Sequence, residues 1–269
     1  RRIGRSRCRQ TQLLYWFSHH GPMQHRREDP DEHVTDRAPA PQAEFDAYAA
    51  DYAGGMDNPL KSLLGESADA FVAIKLRWLL RRFPDLRNAT RNVRLLDYGC
   101  GTATLLRLMA QSGLGATLIG CDIAAGMLDE AAQSWPAGLP LPELHQQQAA
   151  LTPLPSASVD FIIVSSVLHH VPPADRRAVY AEFRRVLRPD GRVVVFEHNP
   201  LNPVTRYVVA HTPIDRNAIL LHSREVSSGL RQMQFVEIST SYLMFLPPRL
   251  HALAGIEDRI GWLPLGGQY

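Results

Sequence analysis

Apolar positions along the chain follow two different periods, and the changes of period mark out the elements. Over 44–52 and 68–83, apolar and aromatic residues recur three or four apart (Phe45, Tyr48, Ala49, Tyr52; Phe71, Ile74, Leu76, Leu79, Leu80). That spacing lines one face of a helix, so two helices are predicted ahead of any sheet. From 93 onward the pattern alternates. Strands are predicted at 93–98, 116–121, 143–147, 160–165 and 192–197, and helices at 104–111, 126–135 and 174–187. Strands that read as continuous apolar runs and alternate with helices belong to a parallel sheet covered on both faces. The expected fold class is therefore α/β, a doubly wound, mostly parallel sheet behind an N-terminal helical cap. Helical patterns follow at 205–211 and 224–233, then a strand at 236–244, and Gly266-Gly267-Gln268-Tyr269 reads as the opening of a further strand cut short.

Composition adds an asymmetry. The 269 residues carry 29 Lys+Arg against 27 Asp+Glu, a net charge of +2, yet residues 1–27 hold seven arginines and no acid. The other 242 residues are thus mildly acidic, with 22 basic and 27 acidic groups. Gripping nucleic acid requires clustered Lys/Arg, so the main body is not expected to bind it. The chain opens on Arg1 rather than Met, so it reads as a fragment, a processed form or a translation begun upstream of a start at Met23, and the Arg-rich 1–27 reads alternatively as a targeting segment. Residues 28–42 read as a solvated linker, and 43–269 as a single domain: a helical cap over 43–90, a ligand-binding core over 91–199, and an acceptor-side region with C-terminal strands over 200–269. No run approaches the roughly 18 apolar residues that span a bilayer. Cys8, Cys100 and Cys121, odd in number and without C-x-x-C spacing, suit reduced thiols and a cytoplasmic setting.

The chemically informative stretch is Leu95-Leu96-Asp97-Tyr98-Gly99-Cys100-Gly101-Thr102-Ala103-Thr104, at the end of the first strand and the start of a helix. Glycines there allow a sharp turn and close approach to a ligand. A dinucleotide fingerprint would put its third glycine where this chain has Thr104. An acid two residues before the first glycine suits an ammonium and would repel a pyrophosphate, which argues against a nicotinamide cofactor. The second strand ends in Cys121-Asp122, where an acid can accept hydrogen bonds from ribose hydroxyls. Together the two halves describe an amino-acid-bearing nucleoside, S-adenosylmethionine or its demethylated product.

With those residues, 45–197 resembles the class I, seven-strand, Rossmann-like S-adenosylmethionine-dependent methyltransferases. Further pieces come in the same order: Asp122-Ile123-Ala124-Ala125-Gly126-Met127-Leu128, Thr152-Pro153-Leu154-Pro155 before Ser158-Val159-Asp160-Phe161, Val167-Leu168-His169-His170-Val171, and Arg185-Val186-Leu187-Arg188-Pro189-Asp190-Gly191. Glu197-His198-Asn199-Pro200 and Leu263-Pro264-Leu265-Gly266 resemble bacterial small-molecule and quinone-pathway methyltransferases. The resemblance implies that Gly99, Cys100 and Gly101 hold the methionine portion with Asp97 reaching its amino group, that Asp122 binds ribose, that Ile123 and Met127 line the adenine, and that Gln148, Ala149 and Ser165 complete the cofactor site. Ala103 stands where a third glycine is frequent, and Gln148-Ala149 where an acid often contacts adenine. Each acid also has a plainer role open to it, Asp97 as a cap near Thr102 and Thr104, and Asp122 as an N-cap of the next helix.

Methyl transfer to a small or lipid-like acceptor depends mainly on positioning. Ligands bind beyond the carboxyl ends of strands, which selects His169 and His170 after the fourth strand, Glu197, His198 and Asn199 after the fifth, and Tyr48 and Tyr52 on the leading helix. Either His169 or His170 could serve as a base, or the pair could simply fill its loop. The tyrosines read equally as core. Lys75, one of two lysines, reads as a surface or capping residue, and the other histidines show no metal-ligand spacing. The apolar content of 201–269 (Tyr207, Val208, Val209, Ile219, Leu220, Leu221, Tyr242, Phe245, Trp262) suits an acceptor pocket. A domain that keeps the fold and binds the cofactor without turnover is the alternative.

Overall fold

The computed structural model describes residues 41–51, 67–87, 92–248, 250 and 254–269, and a five-stranded parallel sheet runs through its centre. The strands are β1 (Val93–Tyr98), β2 (Ala116–Asp122), β3 (Glu143–Gln146), β4 (Val159–Ser165) and β5 (Leu187–Phe196), in the order β3-β2-β1-β4-β5. Successive side chains alternate between faces. Leu95, Phe161, Ile163 and Phe196 pack on one side, with Leu79, Leu106 and Met109; Leu96, Tyr98, Ile119, Ile162 and Val164 pack on the other, with Val179 and Phe183. Both faces are buried, which is why the strands read as unbroken apolar runs.

The helices are α1 (Pro41–Tyr48), α2 (Ala68–Arg82), α3 (Thr104–Gln111), α4 (Ala125–Gln133), α5 (Arg176–Val186), α6 (Pro203–Ala210), α7 (Ser223–Gln232) and α8 (Ala254–Ile260). Ser67 caps α2 by accepting from the Ala70 amide at 3.3 Å, and Arg81 and Arg82 sit in its last turn, where cations suit the helix dipole. Asn202 does the same for α6, accepting from the Thr205 amide at 2.9 Å ahead of Pro203 at its first turn. α1 lies against α4: Asp46 Oδ1 accepts from the Gly126 amide at 2.9 Å, and a Cβ on Gly126 would come within 3.0 Å of Ala49.

Three expectations shift. The leading helix α1 spans Pro41–Tyr48, earlier than the 44–52 expected, and β5 begins at Leu187, five residues early, because α5 ends at Val186 and turns straight into the strand. The expected strand at 236–244 does not form: Glu237 and Met244 have φ of 53° and 62°, and left-handed residues break an extended run. What remains of the C-terminal pairing is Gln268, which bridges His198 on one side and Leu243 on the other, both antiparallel. Tyr52 and the leader at 1–27 lie outside the described residues. Among the described residues, no helix is long and apolar enough to cross a membrane, and Cys100 and Cys121 are buried free thiols.

Gly120 sits in the middle of β2, where an added Cβ would lie 2.8 Å from Cys100 Sγ and from Leu144, and 3.0 Å from Leu106. Gly120→Ala is expected to destabilise the fold by about 1–3 kcal/mol through overpacking. A urea-denaturation midpoint equal to that of the parent chain would contradict this packing.

Candidate functional site

The strand order reverses direction at β1 and β4, and a doubly wound sheet opens a crevice beyond the carboxyl ends of the strands at such a point. The loop after β1 shapes one wall. Gly99, Gly101 and Ala103 all take left-handed φ, at 73°, 52° and 57°. The two glycines adopt this freely; at Ala103, where many relatives of the motif would place glycine, it is strained for a residue with a Cβ. A Cβ on Gly99 would also fall 2.5 Å from Val167 of the loop after β4. The amides of Gly99 and Cys100 both donate to the Cys121 carbonyl, at 2.7 and 3.0 Å, so the loop is tied back onto β2.

Asp122 completes that tie. Its Oδ2 accepts from the Gly101 amide at 2.8 Å and its Oδ1 from the Ala124 amide at 2.9 Å, which stitches the β1 loop to the start of α4. Burial pushes its pKa up, and these amide bonds oppose the rise. The capping role read from sequence is therefore occupied geometrically, through Ala124 rather than the first helical turn. Asp97 differs. It is buried at the end of β1, and its Oδ1 has no hydrogen-bond partner. Burial lifts its pKa to about 7, although the positive charge of Lys75 pulls the other way.

Lys75 was missed by the sequence reading. It is buried on α2, donates from Nζ to Ser165 Oγ at 2.8 Å and Ser166 Oγ at 3.0 Å, and has its pKa lowered to about 8 by burial despite the nearby Glu197, Asp97 and Asp215. The helical spacing around it does place it one residue from Ile74 and Leu76, on the buried side, and that was the available signal. Ser165 is thus engaged by a lysine, and Cys100 is held neutral by burial beside two acids.

The remaining predicted residues fall into two groups. On the α4 side, Met127 is buried and packs with Ala49, Ala124 and Ile214, with Phe45 and Tyr48 against the same cluster. Tyr48 also donates its hydroxyl to the Pro213 carbonyl at 3.1 Å, so it joins α1 to the segment at 213–215. Ile123 is half-buried and its carbonyl accepts from Gln146 Nε2. Gln148 and Ala149 form an exposed turn closed by bonds between Gln148 and Leu151, with Ala149 at φ 50°.

On the β4–β5 side, the three histidines come together. His169 is buried, and its Nδ1 lies 2.6 Å from Glu197 Oε2, while the other oxygen of Glu197 accepts from the amides of Val167 and Leu168 at 2.9 and 2.6 Å. The ring centroid of His169 is 4.1 Å from that of His170 and 4.9 Å from that of His198. Asp215, which no motif in the sequence marked, faces all three: its Oδ1 is 3.5 Å from His169 Nε2 and 3.4 Å from His170 Nε2, and its Oδ2 is 4.0 Å from His198 Nε2. Burial alone would depress the His169 pKa, but Glu197 and Asp215 outweigh it and hold it up at about 9. Glu197 is itself held down at about 2, because His169 and the Leu168 amide overcome its burial. His198 falls to about 3 through burial and repulsion by His169. His169 therefore has a firm structural commitment, whereas His170 is partly exposed at the crevice with Phe45 of α1 edge-on at 5.0 Å. Asn199 faces the other way, donating to the carbonyls of Pro264 and Gly266.

The expected apolar acceptor pocket in 201–269 is not gathered in one place. Leu221 is buried, whereas Tyr207, Ile219 and Trp262 are exposed. A cavity of about 260 Å³ does lie between α2 and the segment 241–261, lined by Trp78, Arg81, Tyr242 and Glu257 among others, but it touches none of the predicted site residues.

Comparison with known proteins agrees with this geometry. The methyltransferase domain family matches residues 96–195, from β1 to the end of β5. The nocamycin O-methyltransferase of Saccharothrix syringae is 36% identical over 119 residues, 44% of this chain and 42% of that protein. The demethylmenaquinone methyltransferase of Thermus thermophilus is 34% identical over 142 residues, 52% of this chain and 60% of that one. The chain thus spans about half the length of the curated relatives it matches. Among solved structures, an S-adenosylmethionine-dependent methyltransferase from Archaeoglobus fulgidus superposes with a TM-score of 0.56 at 18% identity, over 77% of this chain and 93% of that one. Phosphoethanolamine N-methyltransferase 2 of Haemonchus contortus gives 0.56 at 19%, over 82% and 50%. At these identities the likeness is one of fold.

Removing Lys75 leaves Asp97 with burial and the charge of Asp122, both of which raise its pKa. In Lys75→Met, the Asp97 carboxyl is expected to titrate above its parent value of about 7. Carbon-detected NMR of labelled aspartate checks this, and an unchanged midpoint would remove Lys75 as the neighbouring charge.

Proposed function

We propose that this chain, whose residues 96–195 match the methyltransferase domain family, binds S-adenosylmethionine at the carboxyl ends of β1, β2 and β4 and transfers its methyl group to a small organic acceptor. The observation that carries the reading is Asp97 Oδ1, a buried carboxylate oxygen without a partner. Leaving such an atom unsatisfied is expensive unless a ligand completes it, and an α-ammonium group supplies both the charge and the hydrogen bond. The glycine turn beside it fits the same ligand, because Gly99 already abuts Val167 and a side chain would fill the approach. Asp122 keeps lone pairs free on both oxygens for ribose hydroxyls, and the reading gives Ile123 and Met127 to the adenine ring. The bound cofactor supplies an electrophilic methyl on a sulfonium. The chain's own part is to hold it dry and in line with an acceptor approaching from the side of His170 and His198.

The names of the matched relatives, a nocamycin O-methyltransferase and demethylmenaquinone methyltransferases, support a small-molecule acceptor. His170, partly exposed and with its pKa lowered by burial, is neutral near pH 7 and able to accept an acceptor proton. A second reading draws on the packing of α1 over Met127: if that helix permanently occupies the adenine end, the domain binds no cofactor and acts as a scaffold.

Calorimetry with S-adenosylhomocysteine separates the two, since heat of binding is expected from the first and none from the second. Asp97→Asn is expected to weaken binding by about 1.5–3 kcal/mol, as for a hydrogen bond to a charged group. The pH dependence has a definite sign. Lys75 of α2 and Asp122 of β2 face Asp97, whose carboxylate form pairs with the ammonium, so affinity is full above about pH 7 and falls as the pH drops below it, approaching tenfold per unit. Asp97→Asn should flatten that profile; a parent profile flat from pH 8 to 6 would refute the assignment of Asp97.

A further inference from the structure

The histidine cluster beyond β4 and β5 contains more than methyl transfer needs. His169 Nε2 is buried and makes no hydrogen bond. It stands 3.5 Å from Asp215 Oδ1, and His170 Nε2 stands 3.4 Å from the same oxygen. All three donor atoms lie within 4.8 Å of one another. These separations are long for charge-assisted hydrogen bonds, which run at about 2.7–2.9 Å. They match the edge of a coordination polyhedron instead, since donors about 2.0–2.1 Å from a tetrahedral ion lie roughly 3.3–3.4 Å apart.

We propose that His169 Nε2, His170 Nε2 and Asp215 Oδ1 bind one divalent transition-metal ion of the zinc class. Two imidazoles and a carboxylate are a borderline donor set suited to such ions and poorly suited to calcium or magnesium, which prefer all-oxygen shells. The outer shell supports the assignment independently. Glu197 Oε2 sits 2.6 Å from His169 Nδ1, a carboxylate on the far nitrogen that orients Nε2 toward an ion. Glu197 cannot swing away, because its other oxygen is fixed by two backbone amides. His170 and His198 are partly exposed and supply a route for the ion to arrive, and His198 Nε2, 4.0 Å from Asp215 Oδ2, is near enough to become a fourth donor after a small movement. Three protein donors leave a position for water or for an acceptor oxygen. With the ion bound, His170 Nε2 is a ligand and no longer the proton acceptor of the function proposed above; any part the ion plays in the reaction rests on that reading, whereas its binding does not.

The sequence spacing gave no hint of such a centre, since His169 and His170 are adjacent and Asp215 comes from the segment between α6 and α7. Adjacent residues seldom ligate one ion from a helix or strand, but here they lie on a single 3₁₀ turn, 168–170.

The test is metal binding by the full chain after chelator dialysis, read from the visible spectrum of added Co²⁺ and from competition by Zn²⁺. One equivalent should bind with histidine-type ligand-field bands, and S-adenosylhomocysteine affinity reports separately on the cofactor site. His170→Gln, at a partly exposed position, and Asp215→Asn should each weaken Co²⁺ binding by tenfold or more, with circular dichroism confirming that the chain is folded. No stoichiometric binding by the parent chain overturns the proposal. So does binding that stays within twofold in the folded His170→Gln chain, which would assign the ion to histidines elsewhere.

Discussion

A carboxylate buried where parallel strands end is costly unless its lone pairs find donors. Glu197, fully buried, meets that condition with three: the amides of Val167 and Leu168 and the ring nitrogen of His169. Its backbone meanwhile exchanges two hydrogen bonds with Tyr269, at 2.9 and 3.0 Å. One residue thus fixes the loop after β4, the orientation of His169 and the docking of the C-terminal segment beside β5. The rest of the crevice is organised around this point. The Tyr269 hydroxyl carries the connection further, donating to Leu221 at 2.8 Å, and Arg176 holds the neighbouring Ile219 carbonyl and Glu225.

The other wall depends on backbone conformation rather than on ion pairs. Left-handed residues at 99, 101 and 103 turn the chain tightly enough for its amides to reach Cys121 and Asp122. Asp122 gives each of its oxygens to one amide in holding that turn, and Asp97 Oδ1 is left with no hydrogen bond at all. The two acids at the ends of adjacent strands therefore differ in how far the protein itself engages them, which their places in the sequence do not show. Lys75 sits between these walls, binding Ser165 and Ser166 and lying within electrostatic reach of Asp97, Glu197 and Asp215. A single buried cation shared by three acids makes the charge of each depend on the others.

Legibility followed the range of the interaction. Val93–Tyr98 and Thr104–Gln111 form where the periodicity puts them, because a strand buried on both faces and a helix buried on one are local patterns of hydrophobicity. The segment 236–244 was misread as a strand for the same reason. Its apolar residues alternate, but the backbone turns left-handed at Glu237 and Met244, and Leu243 pairs instead as an isolated bridge with Gln268, far along the chain. Lys75 was read as a surface residue since lysine usually is one; only the approach of α2 to the end of β4 buries it.

By itself, then, the sequence determined the alternation of strand and helix, the doubly wound class, the glycine turn after β1 and the two acids at the ends of β1 and β2, all of which are written in neighbouring residues. The tertiary structure alone decided which acid is free, where the lysine's charge lies, and that Asp215 meets His169, His170 and His198. Those outcomes depend on energies of burial and on distances between segments remote in the chain. Neither quantity exists until the sheet has closed and water has left the space between them.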